Sequence, residues 1–255
     1  METLDVGGTP VEVQTMGSGP PLVYLHSEQF VARTAPFLEA LAARFRVISA
    51  RMPGFGATTL PADIRTVDDL AYLHLDLLHK LDLKQPTVVG ASFGGWVALE
   101  MAVRNTARIG RLALIGAVGV KLSGREERDF ADIFYLSDAE AFPVLFADPE
   151  KWAPKYAALP VTEVEQLARE RQALAYYAWK PYLHNPGLRR WLHRVDVPTL
   201  VLWGDKDRFA SPDYGLQLAS RLPNAEFKIV SRAGHYPQIE QVPATVEAIS
   251  SFAGR

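Results

Sequence analysis

The 255-residue chain predicts an α/β domain, with a mostly parallel sheet covered by helices on both faces. Two observations lead there. Short runs of β-branched and apolar residues alternate with helical patterns along most of the chain, as crossover connections between parallel strands require. The composition, 48% hydrophobic and 22% charged, supplies a large core and argues against disorder.

The first strands are expected at PVEVQTM (10–16), PLVYLH (21–26) and RVISA (46–50). A helix follows over about 66–82, where Leu70, Leu73, Leu77 and Leu81 form one stripe and Thr66 with Asp69 reads as a capping box. PTVVGA (86–91) is the next strand, and residues 93–105 are apolar nearly all round, the mark of a helix buried against a sheet. RLALIGA (111–117), PTLVLWG (198–204) and EFKIV (226–230) complete the strands. Ser211 and Pro212 cap and open another helix, and a last one is expected over about 240–252.

The alternation breaks once. Between 117 and 198 about 80 residues carry no strong strand pattern, too many for a loop in a compact domain. TEVEQLARERQALAYYAW (162–179) reads as helix, and residues 130–191 hold 12 of the 26 aromatic residues. The expected organisation is a core of 1–117 and 198–255, with 118–197 inserted as a helical cap. Rings there serve first to glue the insertion down, and together they would wall an apolar pocket.

A net charge of −2 offers no field for nucleic acid or an anionic membrane, and no apolar run is long enough to span a bilayer. Cysteine is absent, which excludes disulfides and thiol catalysis. The start METLDVGG has no signal-peptide character, so a cytoplasmic location is expected. His74 and His79 lack the i, i+4 spacing of a zinc pair, and GFGATT lacks the lysine of a phosphate loop. His74 is expected to be a partly buried structural residue. No metal, nucleotide or other cofactor is implied.

The chemistry gathers around VVGASFGGWVA (88–98). Gly90, Ser92 and Gly94 form the G-x-S-x-G pattern where a strand turns into a helix, a sharp bend that exposes a nucleophile and demands small neighbours. Serine needs a base and the base needs an acid, in the chain order Ser, Asp or Glu, His. VLWGDKDRF places Asp205 and Asp207 after one strand, and SRAGHYPQIE places His235 after the next. In a parallel sheet all would lie at the carboxyl edge, where open α/β folds build their sites. The Phe93 N–H, next to the nucleophile, is the first expected oxyanion donor.

LHSEQF, MPGFG, GASFGG, VPTLVLWGDKD and AGHYPQIE occur in an order that resembles the α/β-hydrolase superfamily, in its branch with a helical cap. The resemblance implies the acid of a Gly-x-x-Asp sequence, which maps to Gly204 and Asp207 and leaves Asp205 as a turn or supporting residue. It also places the second oxyanion N–H two residues beyond an early histidine, at Glu28, with Ser27 as the fallback. A glutamate there is unfavourable beside a developing oxyanion unless its side chain points away or is protonated. Arg51 stands where relatives of this pattern carry aspartate, at a structural position.

The triad Ser92, His235 and Asp207 implies hydrolysis of small hydrophobic or aromatic carboxylic esters through an acyl-enzyme. The alternative is carbon–carbon hydrolysis of ring-cleavage diketones; its enzymes typically carry tryptophan after the histidine, where Tyr236 stands here. A ligand receptor that keeps the fold with little turnover is the reading from another class. The partner in each case is a small hydrophobic molecule.

Overall fold

The structure is a computed structural model that describes residues 1–124 and 126–254, and counts and absences below refer to these residues. Eight strands form one sheet: β1 (Glu2–Val6), β2 (Thr9–Met16), β3 (Pro21–Leu25), β4 (Arg46–Ala50), β5 (Thr87–Ala91), β6 (Arg111–Ile115), β7 (Thr199–Gly204) and β8 (Ala225–Val230). Their spatial order is β1-β2-β4-β3-β5-β6-β7-β8. β1 and β2 form a hairpin, β2 runs antiparallel to β4, and every pairing from β4 to β8 is parallel.

Seven helices of eight residues or more flank it: α1 (Ala35–Ala42), α2 (Val67–Lys80), α3 (Phe93–Arg104), α4 (Asp138–Leu145), α5 (Val161–Ala178), α6 (Pro212–Ala219) and α7 (Val242–Ala253). The strands divide their side chains cleanly between two cores, because successive residues point to opposite faces. Val23, Leu25, Val88, Leu112, Leu114, Val201 and Trp203 pack with α2, α3 and α6. Leu22, Tyr24, Val89, Ala113, Ile115, Leu200 and Leu202 pack with α1 and α7 on the other face.

The Thr66 capping box is present: its hydroxyl accepts from Asp69 N–H at 3.1 Å, and the Asp69 carboxylate accepts from Thr66 N–H at 2.9 Å. Ser211 caps α6 with its hydroxyl alone, accepting from Tyr214 N–H at 3.2 Å. Leu81 lies past the end of α2 and is only half-buried, so the stripe ends one turn sooner than expected. His74 is fully rather than partly buried, with Nδ1 2.7 Å from the Leu70 carbonyl. The terminal helix starts at Val242, after a separate turn at Pro237–Glu240.

Between β6 and β7 the regular structure is mainly helical, with α4, α5 and the short turns Pro149–Trp152 and Leu188–Trp191. A two-residue parallel pairing, Gly119–Val120 with His184–Asn185, ties its two ends together. Its rings do different work. Tyr177 stacks on Phe55 and meets Phe93, Phe146 meets Phe30 and Tyr236, and Phe130 lies on Phe209. Tyr135 and Trp179 instead face solvent, at 86% and 60% exposed. The inserted rings thus do not form one apolar wall.

Candidate active site

The sheet edge explains why distant residues meet. β3 and β5 are neighbours whose following connections lead to opposite faces, so the crevice at their carboxyl ends is a topological switch point. Ser92 follows β5, Glu28 follows β3, and the turns after β7 and β8 carry Asp207 and His235. All four are buried to within 4% of full coverage.

Ser92 occupies φ 47°, ψ −111°, a strained conformation for a residue with a side chain. Its neighbours have to be glycine because the backbone folds back on itself. A Cβ on Gly90 would come within 2.5 Å of the Gly94 carbonyl oxygen, and one on Gly94 would overlap the carbonyl oxygen of Leu25. The strain is held by backbone bonds: Ser92 N–H donates to Ile115 O at 2.8 Å, and Ser92 O accepts from Gly95 N–H at 2.9 Å.

His235 joins the serine to an acid. Its Nε2 lies 2.7 Å from Ser92 Oγ and its Nδ1 lies 2.8 Å from Asp207 Oδ2. The other oxygen of Asp207 accepts from the N–H groups of Phe209 and Ala210, at 2.9 and 3.0 Å, which fixes the carboxylate plane. Asp205 points elsewhere, accepting from Ala233 N–H at 3.3 Å and pairing with Lys206. Burial pushes the His235 imidazole down, but the adjacent Asp207 carboxylate, helped by Glu28 and Glu240, outweighs it and raises its pKa above 6.5. Phe209 packs edge-on against the imidazole, with ring centroids 4.5 Å apart.

At Glu28 it is the side chain that reaches the expected oxyanion hole. Its side chain does not point away: Oε2 accepts from the Phe93 N–H at 3.4 Å, and Oε1 accepts from the Tyr236 hydroxyl at 2.5 Å. The Phe93 donor is thus already engaged. The cause is burial, since a 1%-exposed carboxyl must find donors, and the first N–H of α3 with the tyrosine hydroxyl supplies them. Burial and the Glu28 carboxyl together raise the Tyr236 pKa well above its usual value. Ser27, the fallback, turns its hydroxyl to Gln29 O at 2.8 Å and so shapes the loop.

Three supporting residues escaped the sequence reading. His26 accepts from Met52 N–H at 3.0 Å through Nε2, and burial lowers its pKa to about 3, so it ties two loops as a neutral ring. Glu240 receives the N–H groups of Gly234 and Ala147, each at 2.8 Å, fixing the turn that carries His235. Glu170 of α5 receives the Phe30 N–H at 2.8 Å and so fastens the inserted segment to the β3 loop. Burial raises both of these carboxyls to about 7. These roles do not show in local sequence: His26 and Glu170 bond to Met52 and Phe30 in distant turns, and Glu240, beside its near partner Gly234, reaches Ala147 93 residues away. Among the described residues no group of three or more His, Asp or Glu is placed to hold a metal ion.

The fold and the buried Ser–His–Asp line point to a hydrolase, and the family comparison agrees on that class. Residues 17–248 match the model of the alpha/beta hydrolase family, and the chain belongs to that family. It is similar to a 2-hydroxymuconate semialdehyde hydrolase of Pseudomonas sp. (strain CF600), 29% identical over 262 residues, covering 96% of this chain and 90% of that protein. A poly(3-hydroxyalkanoate) depolymerase of Ectopseudomonas oleovorans is 28% identical over 225 residues, covering 85% of this chain and 78% of that protein. Among solved structures, a meta-cleavage product hydrolase from Pseudomonas fluorescens IP01 superposes with a TM-score of 0.80 at 20% identity, covering 100% and 97% of the two chains.

Proposed function

We propose that this hydrolase cleaves a carbon–carbon bond beside a ketone in a diketone of the ring-cleavage type, with Ser92 as nucleophile. The observation that carries the chemistry is the unbroken line from Asp207 through His235 to Ser92. The bond class rests on the relatives named for such hydrolases, and it replaces the ester reading as the leading one.

His235 takes the Ser92 proton as Oγ bonds to the ketone carbon, and Asp207 stabilises the imidazolium. Collapse of the tetrahedral adduct breaks the carbon–carbon bond. Its electron pair leaves as an enolate of the second carbonyl, which the imidazolium proton then quenches. Water, deprotonated by His235, releases the acyl group from Ser92. A diketone fits because the second carbonyl makes the departing carbon a tolerable leaving group.

Ester hydrolysis is the second reading, favoured by Tyr236, which stands where ring-cleavage hydrolases typically carry tryptophan, and by the depolymerase relative. Relatives bearing hydrolase names support turnover over mere ligand capture. Side-by-side kcat/KM values on a vinylogous ring-cleavage diketone and on nitrophenyl esters from acetyl to octanoyl separate the two. The diketone is expected to exceed the best ester at least a hundredfold. An ester series that climbs with chain length, with feeble diketone turnover, would overturn the carbon–carbon reading.

A further inference from the structure

The Glu28 carboxyl sits where a substrate carbonyl oxygen has to go. The Phe93 N–H is the donor beside the nucleophile, and Glu28 Oε2 lies on it at 3.4 Å, a long bond that a better acceptor can displace. The opposite oxygen is held by Tyr236, whose ring is itself 0% exposed and packed between Phe30, Phe146 and His235. The carboxyl is therefore anchored on one side and exchangeable on the other. A carbonyl oxygen that takes the Phe93 N–H strips Oε2 of its donor in a site closed to water, which leaves a buried acceptor unpaired. A substrate avoids that loss if it brings a donor of its own.

We propose that Glu28 is a specificity-determining residue that selects, among esters, substrates with a hydroxyl two carbons from the reacting carbonyl, as in a 3-hydroxy ester. The carbonyl oxygen of such a molecule takes the Phe93 N–H while its O–H donates to Glu28 Oε2, and Tyr236 keeps Oε1. A plain ester or ketone fills only the first of these contacts. This inference rests on Ser92 being the nucleophile, since that choice puts the carbonyl at Phe93.

The test compares phenyl 3-hydroxybutyrate with phenyl butyrate, which share a leaving group and acyl length. The wild-type protein is expected to prefer the hydroxy ester in kcat/KM by roughly tenfold to a hundredfold, the range set by leaving one buried acceptor unpaired. In Glu28→Ala the ratio falls to about one, with the plain ester gaining. Glu28→Leu, near the original size and without an acceptor, replaces it should the alanine variant unfold. A wild-type ratio of one or less, turnover of neither ester, or an unchanged ratio in the folded variant overturns the proposal. Covalent labelling of wild-type Ser92 by a phosphonate, run in parallel, separates the causes. Labelling with a flat ratio defeats the Glu28 assignment alone, whereas no labelling removes the nucleophile reading and this proposal with it.

Discussion

Asp207 and His235 meet at 2.8 Å with both side chains fully buried, while Asp205, two residues earlier, faces the Ala233 N–H. Of these two carboxylates, only Asp207 bonds the imidazole. Asp207→Asn is expected to lower kcat by roughly 10⁴-fold, with Asp205→Asn within about tenfold of wild type. Steady-state kinetics on folded variants checks this, and a more damaging Asp205→Asn would reassign the acid.

The pH profile follows from the same contact. His235 must be neutral to take the serine proton, and its pKa is raised above 6.5 against the pull of burial, chiefly by Asp207. Activity is therefore expected to fall on the acid side with a midpoint above 6.5. In Asp207→Asn the residual activity should show that limb moved to lower pH, because burial then acts with less opposition. A limb that stays in place would mean another group titrates.

Glu170 gives a stability prediction with a definite sign. Burial raises its pKa from 4.5 to about 7, so the folded protein binds this proton more tightly than the unfolded chain. The associated stability is present below about pH 4.5 and is lost as pH rises towards 7. It amounts to roughly 1–3 kcal/mol. Tm should fall between pH 5 and pH 8, and Glu170→Gln should shrink that fall by a few degrees. Equal slopes in the two proteins would show that Glu170 titrates as it does in the unfolded chain.

Gly94→Ala tests the packing of the elbow. Its Cβ would overlap the carbonyl oxygens of Leu25 and His26, which belong to β3 and its loop and cannot turn aside. A loss of roughly 3 kcal/mol or more is expected in urea unfolding. A loss under about 1 kcal/mol would show that α3 can shift away from the sheet.

Much of this was legible in the chain. The seven strands read from β-rich runs are β2 to β8, and the capping pairs at Thr66 and Ser211 form as their spacing demands. The glycine-flanked Ser92, an acid after β7 and His235 after β8 were legible as a pattern, the family resemblance chose Asp207 over Asp205, and the three side chains form one bonded line. β1 escaped because ETLDV lies mostly exposed in an edge hairpin, where burial writes no alternation into the sequence. α1 escaped because APFLEALA spans only two turns, and Phe37, Leu38 and Leu41 give too short a stripe to separate from a loop. The side-chain direction of Glu28 was beyond local reading. It depends on Tyr236, 208 residues away, meeting it across the sheet edge.

The central claim is that Ser92, activated by His235, attacks the substrate carbonyl. It is tested most directly by treating the protein with a serine-directed phosphonate and locating the adduct by peptide mass spectrometry. The account predicts one covalent equivalent on Ser92, with no labelling and at least a roughly 10⁴-fold loss of turnover in a folded Ser92→Ala protein. An adduct on another residue, or full turnover in the alanine variant, would contradict it.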